Sequence, residues 1–132
     1  MSPTNLDTAL RYLQALESGA AGEALAPFFH PEMVQREYPN ALTRNGQTRE
    51  LAKLLADSER AKTLLTSQRY TVRGSLAQGD TVALEVDWTG TLAVPLRALP
   101  AGAQLRAACG MFLTFKDGRI VSQRNYDCFE PF

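Results

Sequence analysis

At Arg69 the hydrophobic period of the chain changes, and that change constrains the fold more than any other feature. Arg69 to Ala77 alternates, with Tyr70, Val72 and Leu76 interleaved with polar residues. Side chains two apart share a face of a strand, so this alternation predicts a half-buried strand. Thr81 to Val94, Gln104 to Phe115 and the closing stretch from Arg119 continue in the same manner. Gly79-Asp80 and Lys116-Asp117-Gly118 supply tight turns, and Pro95 to Gly102 is the one irregular connection of any length. Long strands joined by tight turns pair antiparallel.

The residues before Arg69 read as helices and one short strand. Asn5 to Ser18 carries Leu6, Ala9, Leu10, Leu13 and Leu16 near helical spacing, with Thr4 or Asn5 as cap. A second helix is expected over Glu23 to Phe29, ending at His30-Pro31, because a residue before proline is pushed out of the α region. Met33 to Tyr38 is a short strand ending at the turn signal Pro39-Asn40. Gln47 to Leu65 is the longest predicted helix, with an apolar stripe through Leu51, Leu54, Leu55, Ala61 and Leu64.

Together these elements make an α+β domain spanning 1–132, a curved antiparallel sheet with the N-terminal helices packed over its concave face. The strands are longer than usual, and Gly74, Gly90 and Gly110 lie inside them, where bulges or bends are tolerated. A bent sheet covered by helices encloses a cavity, and such cavities are default ligand sites.

Charge narrows the function. Fourteen basic residues balance fourteen acidic ones, which leaves no electrostatic footprint for nucleic acid. No apolar run is long enough to span a bilayer, and the start lacks a secretory pattern, so a cytoplasmic protein without membrane attachment is expected. Cys109 and Cys128 read as small buried hydrophobes rather than a disulfide, and with a single histidine they give no metal-ligand cluster. No metal or cofactor is expected.

Several segments in this order resemble the nuclear transport factor 2-like superfamily, and within it the SnoaL-like polyketide cyclase group. They are Arg11-Tyr12-Leu13 in the opening helix, Phe28-Phe29-His30-Pro31, Gly46 ahead of the long helix, Val82 to Thr91, and Phe115 to Asp127. The resemblance implies a cone-shaped domain with a deep pocket, commonly a homodimer packed through the sheet, and an aspartate on the last strand as acid/base. Asp127, in Asn125-Tyr126-Asp127, matches that aspartate. The tail departs from the family, closing with Cys128-Phe129-Glu130-Pro131-Phe132 instead of a hydrophobic run to Gln-Leu-Gly.

The candidate site follows from strand phase. Val121, Gln123, Asn125, Asp127 and Phe129 fall on one side of the last strand, and Ile120, Ser122, Arg124, Tyr126 and Cys128 on the other. Asp127, in an apolar pocket, can shuttle protons near neutral pH, or it pairs with Arg124 or Arg106. Glu37 offers a second carboxylate and Tyr38 an oxyanion donor; both also suit a solvated edge strand. Asn125 and Gln123 can fix a ligand's polar groups or bond along the sheet surface. Trp88 is core or pocket wall, and His30 either orients a carboxylate or caps a helix.

Two functions remain open at this level. One is a cofactor-independent isomerase or cyclase in which Asp127 abstracts a proton α to a carbonyl of a small hydrophobic molecule. The other is a non-catalytic module that holds a ligand or docks on a partner.

Overall fold

The computed structural model describes residues 4–132. Helix α1 covers Asn5–Glu17. Its start is a capping box in which Thr4 Oγ1 accepts from the Asp7 amide (3.1 Å) while Asp7 Oδ2 accepts from the Thr4 amide (3.2 Å). Ala9, Tyr12 and Leu13 form its buried face, and full burial of an apolar side chain such as Leu13 contributes roughly 1.5–3 kcal/mol.

The second helix expected over Glu23 to Phe29 is instead two 3₁₀ turns, Gly22–Ala24 and Ala26–Phe28, followed by strand β1, Phe29–Glu37. Pro27, in the first turn of the second of these, starts a short helical turn readily but brings no donor to a longer one. His30 therefore lies in a strand and caps no helix. Pro31 sits where the register between β1 and the last strand slips, between Phe29 and Val34, a place that tolerates a residue without an N–H.

The expected helix over Gln47 to Leu65 is also corrected. Gln47–Glu50 forms a strand, β2, paired antiparallel with Val34 to Glu37, and helix α2 covers Leu51–Leu64. Tertiary pairing overrides local propensity here. Gly46 closes the β1–β2 connection at φ +71°, where an added Cβ would stand 2.7 Å from the Glu37 carbonyl oxygen.

Strands β3 (Leu65–Gln78), β4 (Thr81–Leu92), β5 (Gln104–Lys116) and β6 (Arg119–Phe129) form the antiparallel meander foreseen above. The sheet order is β2-β1-β6-β5-β4-β3. β1 pairs parallel with β6, so the sheet is mixed rather than wholly antiparallel. It is curved and unclosed, with helices packed on one side. The core lies between them and includes Val82, Leu84, Val86, Met111, Leu113 and Ile120 with Ala9, Tyr12 and Leu13 of α1.

An irregularity in β6 sets which of its later side chains face the core. Phe115 pairs with Ile120 and Thr114 with Ser122, so Val121 is an extra residue in the ladder. This bulge reverses the strand's phase. Ile120 and Gln123, both fully buried, face the core, and Val121 does not share their register as simple alternation predicts.

Candidate active site

Beyond the bulge, Gln123, Asn125, Asp127 and Phe129 project onto the concave face. Register sets their neighbours. Gln35 of β1 lies beside Gln123 and Glu37 beside Asn125. On the other side, Leu113 of β5 lies opposite Gln123, and Cys109 opposite Asp127. Two of the predicted catalytic side chains, Asp127 and Glu37, thus come together with Asn125 at the end of the sheet where β1 and β6 finish.

Glu37 is held as an anion. Arg49 Nη1 donates to its Oε1 (2.9 Å) and Asn40 Nδ2 to its Oε2 (2.8 Å). Burial alone would raise its pKa, but hydrogen bonds from Asn40, Arg49 and Thr43 and the guanidinium charge outweigh it, and the net shift is downward. Arg49 also reaches Gln35 Oε1 (3.1 Å) and, on α2, Asp57 Oδ2 (2.7 Å). Asn40 fixes its own loop by accepting from the Leu42 and Thr43 amides at 2.9 Å each.

Asp127 has the opposite environment. Burial pushes its carboxyl above the ordinary range, the Glu37 charge adds to that, and a hydrogen bond with the Cys109 thiol works against it. The Cys109 thiol is itself driven upward, by burial first and then by Asp127. The half-buried Asp127 forms no ion pair among the described residues. Arg124 donates to Ser122 and Arg106 to Gln104, both on the outer side of the sheet.

Tyrosines complete the interior. Tyr12 donates its hydroxyl to Gln123 Oε1 (3.2 Å), and Gln123 Nε2 donates to Asn125 Oδ1 (3.2 Å). Burial raises the Tyr12 phenol to about 12. The Tyr70 phenol is pushed up by burial, with the charges of Tyr12, Cys109 and Asp127 adding to it. These four groups therefore act within one electrostatic field.

Trp88 forms part of the wall. Its Nε1 donates to Gln68 Oε1 (3.0 Å), which also accepts from Tyr70 (3.3 Å). The indole packs over Gly90, where a Cβ would come within 2.5 Å of the ring. Phe129 meets Trp88 edge-on at 6.0 Å and Phe132 at 6.3 Å. Arg97 lies 4.9 Å over the Phe132 ring and donates to the Ala41 carbonyl (2.6 Å). The 38–46 loop, the 93–103 connection and the C-terminal tail thus meet at this end.

Two predicted site residues lie elsewhere. Tyr38 is out of phase with Glu37 and sits on the outer face, stacked on Tyr126 at 4.5 Å. His30 is at the opposite end of β1, roughly 20 Å from Glu37 along the strand, accepting from the Glu32 amide (3.1 Å). Two open depressions also avoid Asp127. One, of about 510 Å³, lies between α1 and β3 and is lined by Leu10, Leu13, Tyr70 and Val72; the other, of about 380 Å³, is lined by Arg69, Thr89 and Arg106.

Sequence reasoning missed Cys109, Arg49, Asn40 and Tyr12 as parts of the site. Cys109 could have been found by counting register back from the Asp117-Gly118 turn, provided the Val121 bulge were known. Arg49 was hidden inside the expected helix.

The family model of the SnoaL-like domain matches residues 9–123. The chain belongs to the SnoaL-like family. Asn125 and Asp127 stand just beyond the matched stretch. No curated protein matches the sequence. Among solved structures, the chain is similar to IdmH of Streptomyces antibioticus, a candidate polyketide cyclase, at 22% identity and TM-score 0.78, covering 95% of this chain and 92% of that one. It is also similar to AclR of Streptomyces galilaeus, a candidate hydroxylase, at 17% identity and TM-score 0.76, covering 93% and 74%. A Catenulispora acidiphila protein of ketosteroid isomerase-like fold, in complex with trimethylamine, aligns at 17% identity and TM-score 0.73, covering 93% and 86%. These likenesses, with one to a nuclear transport factor 2-like protein of Cytophaga hutchinsonii (18% identity, TM-score 0.66, covering 99% and 94%), establish the nuclear transport factor 2-like fold, and a fold alone does not fix the chemistry. Among the described residues, no helix is long and apolar enough to cross a membrane.

Proposed function

We propose that this SnoaL-like protein is a cofactor-independent acid/base enzyme acting on a small carbonyl-containing molecule, of isomerase or cyclase type, with Asp127 as the proton carrier. The observation that carries this reading is the opposed pair of carboxyl groups. Glu37 is fixed as an anion by Arg49 and Asn40, while Asp127 is raised by burial and by Glu37. Titratable groups pushed apart in this way divide into a permanent charge and a proton shuttle.

In the proposed reaction Asp127 removes a proton α to a carbonyl and returns it at a second position. The Asn125 amide supports the oxygen that gains charge. Trp88 and Phe129 supply an apolar wall that keeps the carboxyl poorly hydrated.

The test is exchange of α-hydrogens in D₂O across a panel of aryl ketones and β-dicarbonyl compounds. Exchange that depends on the protein and falls about 10²–10⁴-fold in Asp127→Asn would support the reading. Full activity in Asp127→Asn on a turned-over compound would sink it, and tight retention of a compound without turnover would favour a non-catalytic binding role.

A homodimer packed through the outer face of the sheet belongs to the same reading. Val34, Phe112 and Tyr126 are 42%, 38% and 43% exposed there, and Phe112 meets Tyr126 edge-on at 5.8 Å. Exposed aromatic groups flanked by arginines are typical of interfaces. Tyr126→Glu should halve the sedimenting mass; an unchanged mass would remove this face as the interface.

A further inference from the structure

Tyr12, at the middle of α1, is 3% exposed, and Gln123 is 1% exposed. Their hydrogen bond is the first link of a chain that ends on Asn125, two residues from Asp127 on the same strand face. The direction of that chain matters, because each amide can present either an oxygen or an NH₂ group to its neighbour.

A phenol has one proton to give, and at its ordinary pKa of about 10 it keeps that proton at neutral pH. Gln123 Oε1 is its acceptor. With that oxygen engaged, Gln123 turns Nε2 toward Asn125 and requires an acceptor there, which is Asn125 Oδ1. Asn125 is left with Nδ2 on its far side, and that nitrogen has no protein acceptor among the described residues. Turning both amides over would leave the buried Tyr12 proton without an acceptor, an arrangement that native interiors avoid.

We infer that Tyr12 is a positioning residue: acting through Gln123, it fixes the Asn125 amide so that the site beside Asp127 offers N–H donors to a ligand oxygen. The ligand atom that suits this donor is a carbonyl or enolate oxygen, and an ammonium or other pure donor does not suit it. The importance of this order for catalysis rests on the acid/base role proposed for Asp127. The order itself does not.

Neutron diffraction from deuterium-exchanged crystals of the ligand-free protein distinguishes ND₂ from oxygen directly. In the wild-type protein the ND₂ group of Gln123 should face Asn125 Oδ1, and the ND₂ group of Asn125 should face away from Gln123. In Tyr12→Phe the constraint is lost, and both amides should refine in mixed orientation. The opposite orientation in the wild type would overturn the inference, as would a single unchanged orientation in Tyr12→Phe. The wild-type crystal alone can give the overturning result, so it does not depend on the variant folding. Because no ligand or turnover enters the measurement, its outcome is separate from that of the α-hydrogen exchange assay, which tests Asp127.

Discussion

Glu37 and Asp127 project from β1 and β6 onto the same concave face, and their surroundings shift the two carboxyl groups in opposite directions. Arg49 and Asn40 supply the difference. They bond to Glu37 and not to Asp127, so two chemically similar side chains are shifted in opposite directions.

The raised carboxyl of Asp127 links stability to pH. A group whose folded pKa exceeds its unfolded value contributes stability that is fully present below the free aspartate value of about 3.9 and is lost as pH rises through the folded value. Asparagine carries no charge at any pH. Asp127→Asn should therefore be more stable than the wild type at pH 7 and lose that advantage at pH 3. Urea unfolding at the two pH values measures this, and equal differences at both would contradict it.

Arg49 ties β1, β2 and α2 through Glu37, Gln35 and Asp57, and its side chain is only 17% exposed. Arg49→Ala leaves Glu37 with Asn40 and Asp57 with Lys53 and Arg60, and the loss of its own bonds should cost about 1–3 kcal/mol. Glu37 and Asp57 both have lowered pKa values. Their stabilisation is present above the unfolded carboxyl range and lost as pH falls through the folded values. The variant should accordingly show a flatter acid limb in a stability–pH profile; an unaltered limb would mean that Arg49 does not set those shifts.

Gly46 holds the turn that delivers Glu37 to the site. At φ +71° a side chain is strained, and a Cβ would also press on the Glu37 carbonyl oxygen at 2.7 Å. Gly46→Ala should destabilise by roughly 1–3 kcal/mol. In contrast, Gly74 has nothing within 4 Å of an added Cβ, and Gly74→Ala should be nearly neutral. Paired urea titrations distinguish the two positions.

Cys109 and Cys128 lie on opposite faces of the β5–β6 hairpin, since Cys109 pairs with Asp127 while Cys128 pairs with Ala108. The Cys109 thiol is also raised by burial. Iodoacetamide at pH 8 should alkylate the exposed Cys128 and leave Cys109 unmodified until the protein is denatured. Equal labelling of both in the native protein would contradict this placement.

The meander was legible in the sequence because alternation in β4 and β5 coincides with burial: Val82, Leu84 and Val86 are all buried as their phase requires. Asp127, Asn125 and Gln123 were legible for the same reason, their mutual phase being unaffected by the bulge that precedes them. What escaped depended on pairing between distant segments. Gln47 to Glu50 has no strong strand propensity and becomes a strand only by meeting Val34 to Glu37. The slip at Val121 is set by register with Thr114 and Phe115, and nothing local in Ile120-Val121-Ser122 marks it. Tyr38 was misaligned with the site for a simpler reason: adjacent residues of a strand cannot both face the interior.

The acid/base account stands most directly on the titration of Asp127 itself. Side-chain carboxyl ¹³C shifts of the aspartates, followed by NMR from pH 2 to 9, can be assigned to this residue by the signal lost in Asp127→Asn. The account predicts a midpoint clearly above the ordinary aspartate value of about 3.9, and a lower midpoint in Glu37→Gln, where the neighbouring negative charge is gone. A midpoint at or below the ordinary value in the wild type would contradict the assignment of Asp127 as the proton carrier.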